Sequence, residues 1–209
     1  MTGVDVGVAW QNKGYAPSLH YYQMLKIGGS GVLQAGWGLR AAQSVGNQTD
    51  FTSAPAKFAN KTSTTDTLQM NRFTSTSLNM NVSVQLSLMN RIDIGANLDL
   101  FGLATGGRRT GYHLGSRGFS MIDSLNTHRT FQTARPTVGA FQLIGNNTVG
   151  NLNAELYGRI YFTKYVGMKI GYVFATNEYR TDRALVSDNR RFRARTQMIY
   201  AGITFRIPN

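Results

Sequence analysis

The chain has 209 residues, with 22 Lys and Arg against 10 Asp and Glu, a formal net charge of +12. Cysteine is absent, which excludes disulfide scaffolds, Cys-ligated zinc and thiol nucleophiles. Hydrophobic residues make up 42% of the chain and charged ones only 15%; this length fits one domain and the apolar patterning excludes disorder throughout. Taken as a single number, the charge points to nucleic acid, so its placement along the chain decides the matter.

A strand-like pattern begins at Val4, so no signal peptide is legible and Met1 reads as an initiator on a mature chain. Val4, Val6, Val8 and Trp10 alternate with Asp5, Gly7, Ala9 and Gln11. Leu19 to Ile27 repeats the alternation with Gln23 interrupting the apolar row, and Leu33 to Ala41 continues it. Leu78 to Leu88 is the clearest segment: every even position is apolar and every odd one is Asn, Ser or Gln. Ile92 to Phe101, Leu152 to Phe162, Val166 to Phe174 and Ile199 to Ile207 follow the same rule. A period of two is a strand with one apolar and one polar face, where a helix needs about 3.6.

The spacing therefore predicts eight strands, with connections that alternate in length. Gly28 to Gly31, Met89 to Arg91 and Thr163-Lys164 are tight; residues 12–17, 44–75, 105–151 and 177–191 are the other connections, two of them very long. No apolar run is long enough for a transmembrane helix. An even strand count, short turns at one end and long loops at the other imply an all-β, eight-stranded antiparallel up-and-down transmembrane β-barrel, one domain over residues 1–209, with the long loops extracellular.

A barrel of eight strands is filled by side chains, and the polar rows are assigned to its interior. That row carries Asp5, Asp93, Asp99 and Glu155 against Lys26, Arg40, Arg159, Lys169 and Arg206. A nearly balanced set suits a closed interior, where an unpaired charge is costly. The outward rows carry no charge, which lipid requires. The remaining basic residues gather in the loops and strand tips, where Arg108, Arg109, Arg190, Arg191, Arg193 and Arg195 are candidates for holding anions such as lipopolysaccharide phosphates. A basic rim in that position meets anionic glycolipid first, so nucleic acid is not expected as a partner.

Tyr200-Ala-Gly202-Ile-Thr-Phe205-Arg-Ile207 in the last strand, followed here by Pro208-Asn209, carries a resemblance. The whole chain resembles a small outer-membrane β-barrel, similar in plan to the outer membrane protein A transmembrane domain and to Bacteroidota outer-membrane barrels. That resemblance implies a multi-pass protein of the bacterial cell outer membrane, and Tyr200, Gly202, Phe205 and Ile207 as the signal read by barrel-assembly machinery during insertion. Asp66-Thr67-Leu68 and Asp123-Ser124-Leu125 resemble the short O-glycosylation motif of Bacteroidota.

Chemistry is sparse. Ser18 and His20 share the inward face near the outer rim, and some barrels of this size resemble one another in being lipid A-modifying enzymes. No acid identifies itself as a partner for that pair, and His113 and His128 lie in the longest loop. No spacing fits a metal site or a phosphate-binding loop. The expectation is a protein without catalytic residues, cofactor or metal, acting in structure or surface contact through its basic loops, with outer-membrane lipids and lipopolysaccharide as partners. The alternatives are an accessory subunit of a larger envelope complex, for secretion or barrel assembly, and a lipid A-modifying enzyme.

Overall fold

The computed structural model describes residues 1–54, 65–89, 91–115, 127–143, 147–185 and 188–208. Eleven strands, β1 (Thr2–Gln11), β2 (Gly14–Ile27), β3 (Leu33–Ala54), β4 (Thr67–Leu88), β5 (Ile92–Thr105), β6 (Arg109–Leu114), β7 (Thr130–Pro136), β8 (Gly139–Phe141), β9 (Leu152–Tyr161), β10 (Val166–Thr181) and β11 (Arg191–Ile207), form one antiparallel sheet, and no α-helix occurs among the described residues. Eight of them close a ring: β1, β2, β3, β4, β5, β9, β10, β11 and back to β1.

The eight alternating segments of the sequence are these eight strands, but several run further than the apolar rows do. The connection expected over residues 44–75 is largely the extension of β3 to Ala54 and of β4 back to Thr67. That expected over 12–17 shrinks to Asn12-Lys13, because Gly14 to Pro17 already pair with β1. Pro17 lacks an N–H, and the β2–β3 ladder skips from Tyr15 to Ser18 at that point. The connection over 105–151 contains β6, β7 and β8, and β10 continues to Thr181 inside the last one. These additions are rich in Ser, Thr and Asn, so their backbone pairing leaves little apolar signal.

The extensions build a second closure above the first. β3 pairs with β4, β4 with β6, β6 with β7, β7 with β10, β10 with β11 and β11 with β3, a ring of six strands. β3, β4, β10 and β11 belong to both rings. The hairpin of β1 and β2 ends below the upper ring, and Arg191 to Arg193 of β11 then meet Thr52 to Ala54 of β3 directly.

The two rings have opposite polarity. In the lower ring the outward rows are apolar and exposed, as at Leu78 (56% exposed), Val84 (52%) and Ile94 (54%), while the interior is polar. In the upper ring Phe51, Leu68, Met70, Phe73, Tyr179, Leu185 and Phe192 form a buried apolar cluster. Outside it stand Asp50, Thr52, Gln69, Asn71 and Arg72. The switch is made on β3 and β4. Buried positions on β4 are odd from Phe73 to Gln85 and even at Leu68 and Met70, with Asn71 and Arg72 both exposed between them. Facing this break, Gln48 of β3 has a φ of +46°, the left-handed region that costs an ordinary residue about 1–2 kcal/mol.

One expected face is corrected. Strict alternation puts Phe101 on the inward row with Asp93, Asn97 and Asp99, but it is outward and 47% exposed. The β4–β5 register shifts between Met80 and Asn81, where Phe101 and Asp99 are the partners, leaving Leu100 as the extra residue. A bulge of this kind exchanges the faces beyond it.

Candidate functional site

The lower ring's interior holds a connected ionic network. Asp5 accepts from Arg159 Nε at 3.2 Å and Nη2 at 2.8 Å, and Lys169 Nζ lies 3.0 Å away. Lys169 also reaches Glu155 at 2.8 Å, and Glu155 accepts from Arg40 at 3.0 Å and from Asn97 at 2.9 Å. Arg40 continues to Asp99 at 3.1 Å, whose carboxylate also accepts from Asn79 and from the backbone N–H of Asn153. Nearer the short turns, Arg206 pairs with Asp93 at 3.3 Å. Four carboxylates thus face four cations, all buried except the slightly exposed Arg206. Removing a charge from water is costly unless it is paired and hydrogen-bonded, and each carboxylate here has both.

Of the nine charges assigned to the interior, Lys26 does not join. It lies at the end of its row beside the short turn, exposed, with its aliphatic stem over Gly31. Tyrosines complete the packing. Arg159 lies over the rings of Tyr22 and Tyr157, 4.0 and 4.3 Å from their centroids, and Arg206 over that of Tyr161 at 3.4 Å. Glycines provide the space: a Cβ at Gly7 or Gly202, which face each other across β1 and β11, would come within 2.6 or 2.8 Å of the Tyr200 hydroxyl. A void of about 20 Å³ between Ala9, Ala16, Ala42 and Val173 has room for about one water.

Ser18 and His20 do lie on the inward face. His20 is buried, its Nε2 3.1 Å from Asn81 Oδ1 and its Nδ1 3.5 Å from Asp5. The imidazole is thereby held by β1 and β4. Asp5 is an acid that sequence spacing could not identify as its neighbour, because it comes from an adjacent strand.

The basic outer half divides three ways. Arg108, Arg190 and Arg195 are exposed, Arg108 lying 3.7 Å from Asp182. Arg109 stands opposite Ala134, an inward position, and acts on the Tyr179 hydroxyl, which burial pushes up to about 12. Arg191 and Arg193 share a face, as their spacing predicts, but both are engaged with the fully buried Glu178, at 2.9 and 3.1 Å. Burial draws the Arg193 guanidinium below its ordinary value although Glu178 opposes this. Thr137 donates to Glu178 at 3.0 Å, and the carbonyl of Thr148 accepts from both arginines.

In the last strand Tyr200 points inward over Gly202, while Phe205 and Ile207 are outward and exposed. In the first glycosylation-like motif Asp66 and Leu68 are buried and Thr67 begins β4; Asp123-Ser124-Leu125 lies outside the described residues. No group of three metal-ligating side chains occurs among the described residues. No protein-family model, no curated protein and no solved structure matches the chain.

Proposed function

We propose that the chain is a non-enzymatic integral β-barrel of a bacterial outer membrane, with a structural or surface-contact role exerted through its basic outer half. The observation that carries this reading is the inversion of polarity between the two rings. Outward residues of the lower ring form an apolar band; on β4 it runs from Leu88 to Leu78. At 3.3 Å per residue and a tilt near 40° that is about 25 Å tall, the height of a lipid-facing band. In water such a surface aggregates; in lipid it is required. The polar exterior begins where the upper ring does, which favours a position outside the membrane for the upper ring.

The ionic network and its tyrosines fill the interior, so the reading is of an anchor that does not conduct. Asp5 lies beside His20 Nδ1 where an orienting acid would, but Nε2 is held by Asn81, which favours a packing role over lipid A chemistry. The test is heat-modifiable migration on a detergent gel, together with fractionation into the outer membrane. A chain that stays monomeric in detergent-free buffer contradicts the proposal.

A second reading, an accessory subunit of an envelope complex, is favoured by one feature. Phe131 is 73% exposed on the outer wall of the upper ring, with the Tyr112 ring 5.3 Å away, among polar neighbours. Stoichiometric partners that co-purify from native membranes and are lost in Phe131→Ser would support it; a lone monomer would oppose it.

A further inference from the structure

The outer wall of β10 and β11 carries a ladder of cations that rises from the apolar band. Gln197, Arg195, Arg193 and Arg191 are successive outward positions on β11, beside Phe174, Thr176, Glu178 and Arg180 on β10. Successive positions are about 6.6 Å apart along a strand. Arg180 stands directly opposite Arg191 on one side and Arg135 of β7 on the other. Arg193 is buried and, like Arg191, already held by Glu178, so the exposed like-charged pair across the sheet is Arg180 with Arg135, an unfavourable arrangement that an anion would relieve. Arg108, Arg135, Arg180, Arg191, Arg193 and Arg195 against Glu178 and Asp182 leave six minus two, or +4, on this wall.

At the foot of the ladder is a surface groove of about 490 Å³, with Arg195 on it, the amides of Gln11 and Gln197, and Tyr172 and Phe174. The two rings meet edge to face with centroids 5.0 Å apart, and the Tyr172 hydroxyl donates to Gln197 at 2.8 Å. Phe174 also lines a second groove, of about 370 Å³, that is almost wholly apolar and runs across the outer faces of β9, β5 and β4 over Ala154, Leu156, Leu98 and Ala96. Small residues among large ones make this channel in the lipid-facing wall.

We infer that these two grooves and the ladder form one site for a phosphorylated, acylated glycolipid of the outer leaflet. This rests on the outer-membrane reading above. An acyl chain lies in the apolar groove, crosses Phe174, and places a sugar head against the Tyr172 ring and the two glutamines. Its phosphates meet Arg195 first and Arg180 with Arg135 above; guanidinium groups bind phosphate in two-pronged fashion. A phospholipid carries its phosphate only at the boundary, whereas Arg180 and Arg135 stand two outward positions above the level of Arg195, which favours a head with more than one phosphate.

The test uses the full chain in detergent micelles, with purified diphosphoryl lipid A as the probe and native mass spectrometry as the readout. The wild type retains the glycolipid, and rising ionic strength weakens retention. Arg180→Gln combined with Arg195→Gln lowers apparent affinity about tenfold or more, while Lys164→Gln at the opposite rim leaves it unchanged. Heat-modifiable migration of each variant shows that the fold is intact. Equal retention by the wild type and the double variant, or equal displacement by phosphatidylglycerol or inorganic phosphate, would overturn the site while leaving the membrane reading in place. A wild-type chain that does not enter micelles at all would overturn both.

Discussion

Asp5 of β1 and Arg159 of β9, 154 residues apart in the chain, meet across the lower ring through two parallel hydrogen bonds of 3.2 and 2.8 Å. Arg159 also donates to Gln85 at 2.9 Å, so one guanidinium ties together β1, β4 and β9. Arg159→Met should destabilise the fold by about 3–5 kcal/mol, because it leaves a buried carboxylate short of a partner. Arg159→Lys should recover only part, since an ammonium cannot hold both Asp5 oxygens and Gln85. Asp5→Asn placed on Arg159→Met should cost less than the sum of the two. Reversible urea unfolding in lipid vesicles measures all three; a cost below about 1 kcal/mol for Arg159→Met would mean that the network is incidental to stability.

Gly38→Ala tests the packing of the wall. A Cβ there would lie 2.5 Å from both His20 Nε2 and the carbonyl oxygen of Tyr21, and 2.8 Å from Asn81 Oδ1. Neither β2 nor β4 can move without disturbing the His20–Asn81 contact. The substitution should cost about 1–3 kcal/mol, and Gly29→Ala, whose Cβ meets nothing within 4 Å, should cost far less. Equal costs in the same unfolding assay would show that the interior is looser than its contacts indicate.

The boundary between the rings can be located by charge insertion. Val82→Arg falls in the middle of the outward row of β4, and Asn71→Arg on the same strand beyond the switch. The first should destabilise by about 2–4 kcal/mol in a bilayer and the second by about 0–1 kcal/mol. Similar values at both positions would place the lipid boundary elsewhere or remove it.

Alkaline titration should loosen the upper ring. The Tyr179 hydroxyl donates to the carbonyl of Thr74 at 2.8 Å and is buried, which raises its pKa from 10.0 to about 12. The folded state therefore holds a proton that the unfolded state has given up, so this contribution is complete below pH 10.0 and is lost as pH rises towards 12. Hydrogen exchange of the backbone at Phe51, Phe73 and Phe192 should accelerate over that window, and Tyr179→Phe should flatten the response. A slope that persists in Tyr179→Phe would assign it to another group.

Much of the lower ring was legible because an apolar exterior and a packed polar interior impose opposite demands on alternate residues. Eight of the nine interior charges follow from that alternation alone; Lys26 does not, because the row runs out at the turn. The tyrosines over the cations also carry a sequence signal: Tyr22, Tyr157, Tyr161 and Tyr200 occupy inward positions, beside glycines in the case of Tyr200. The upper ring was not legible as structure. Leu68, Met70 and Phe73 carry the phase change in their spacing, but among so many Thr and Ser residues it reads as a loop. The capture of Arg191 and Arg193 by Glu178 needed the β10–β11 register, which sequence distance does not convey.

The seam between β3 and β11 has a consequence for the order of events. Thr52 donates to the carbonyl of Arg193 across 141 residues of chain. Sequence distance does not set the order here, because β1 and β11 of the lower ring pair across an even longer stretch, Thr2 with Ile207, and closure cost grows only slowly with length. Instead, β3 and β11 both run down into the lower ring, whose first and last strands must already have met for the seam to align. Closing the upper ring is therefore a late step in biogenesis. Until it occurs, Phe51, Leu68 and Phe192 are uncovered, and a chaperone or a protease would find them first.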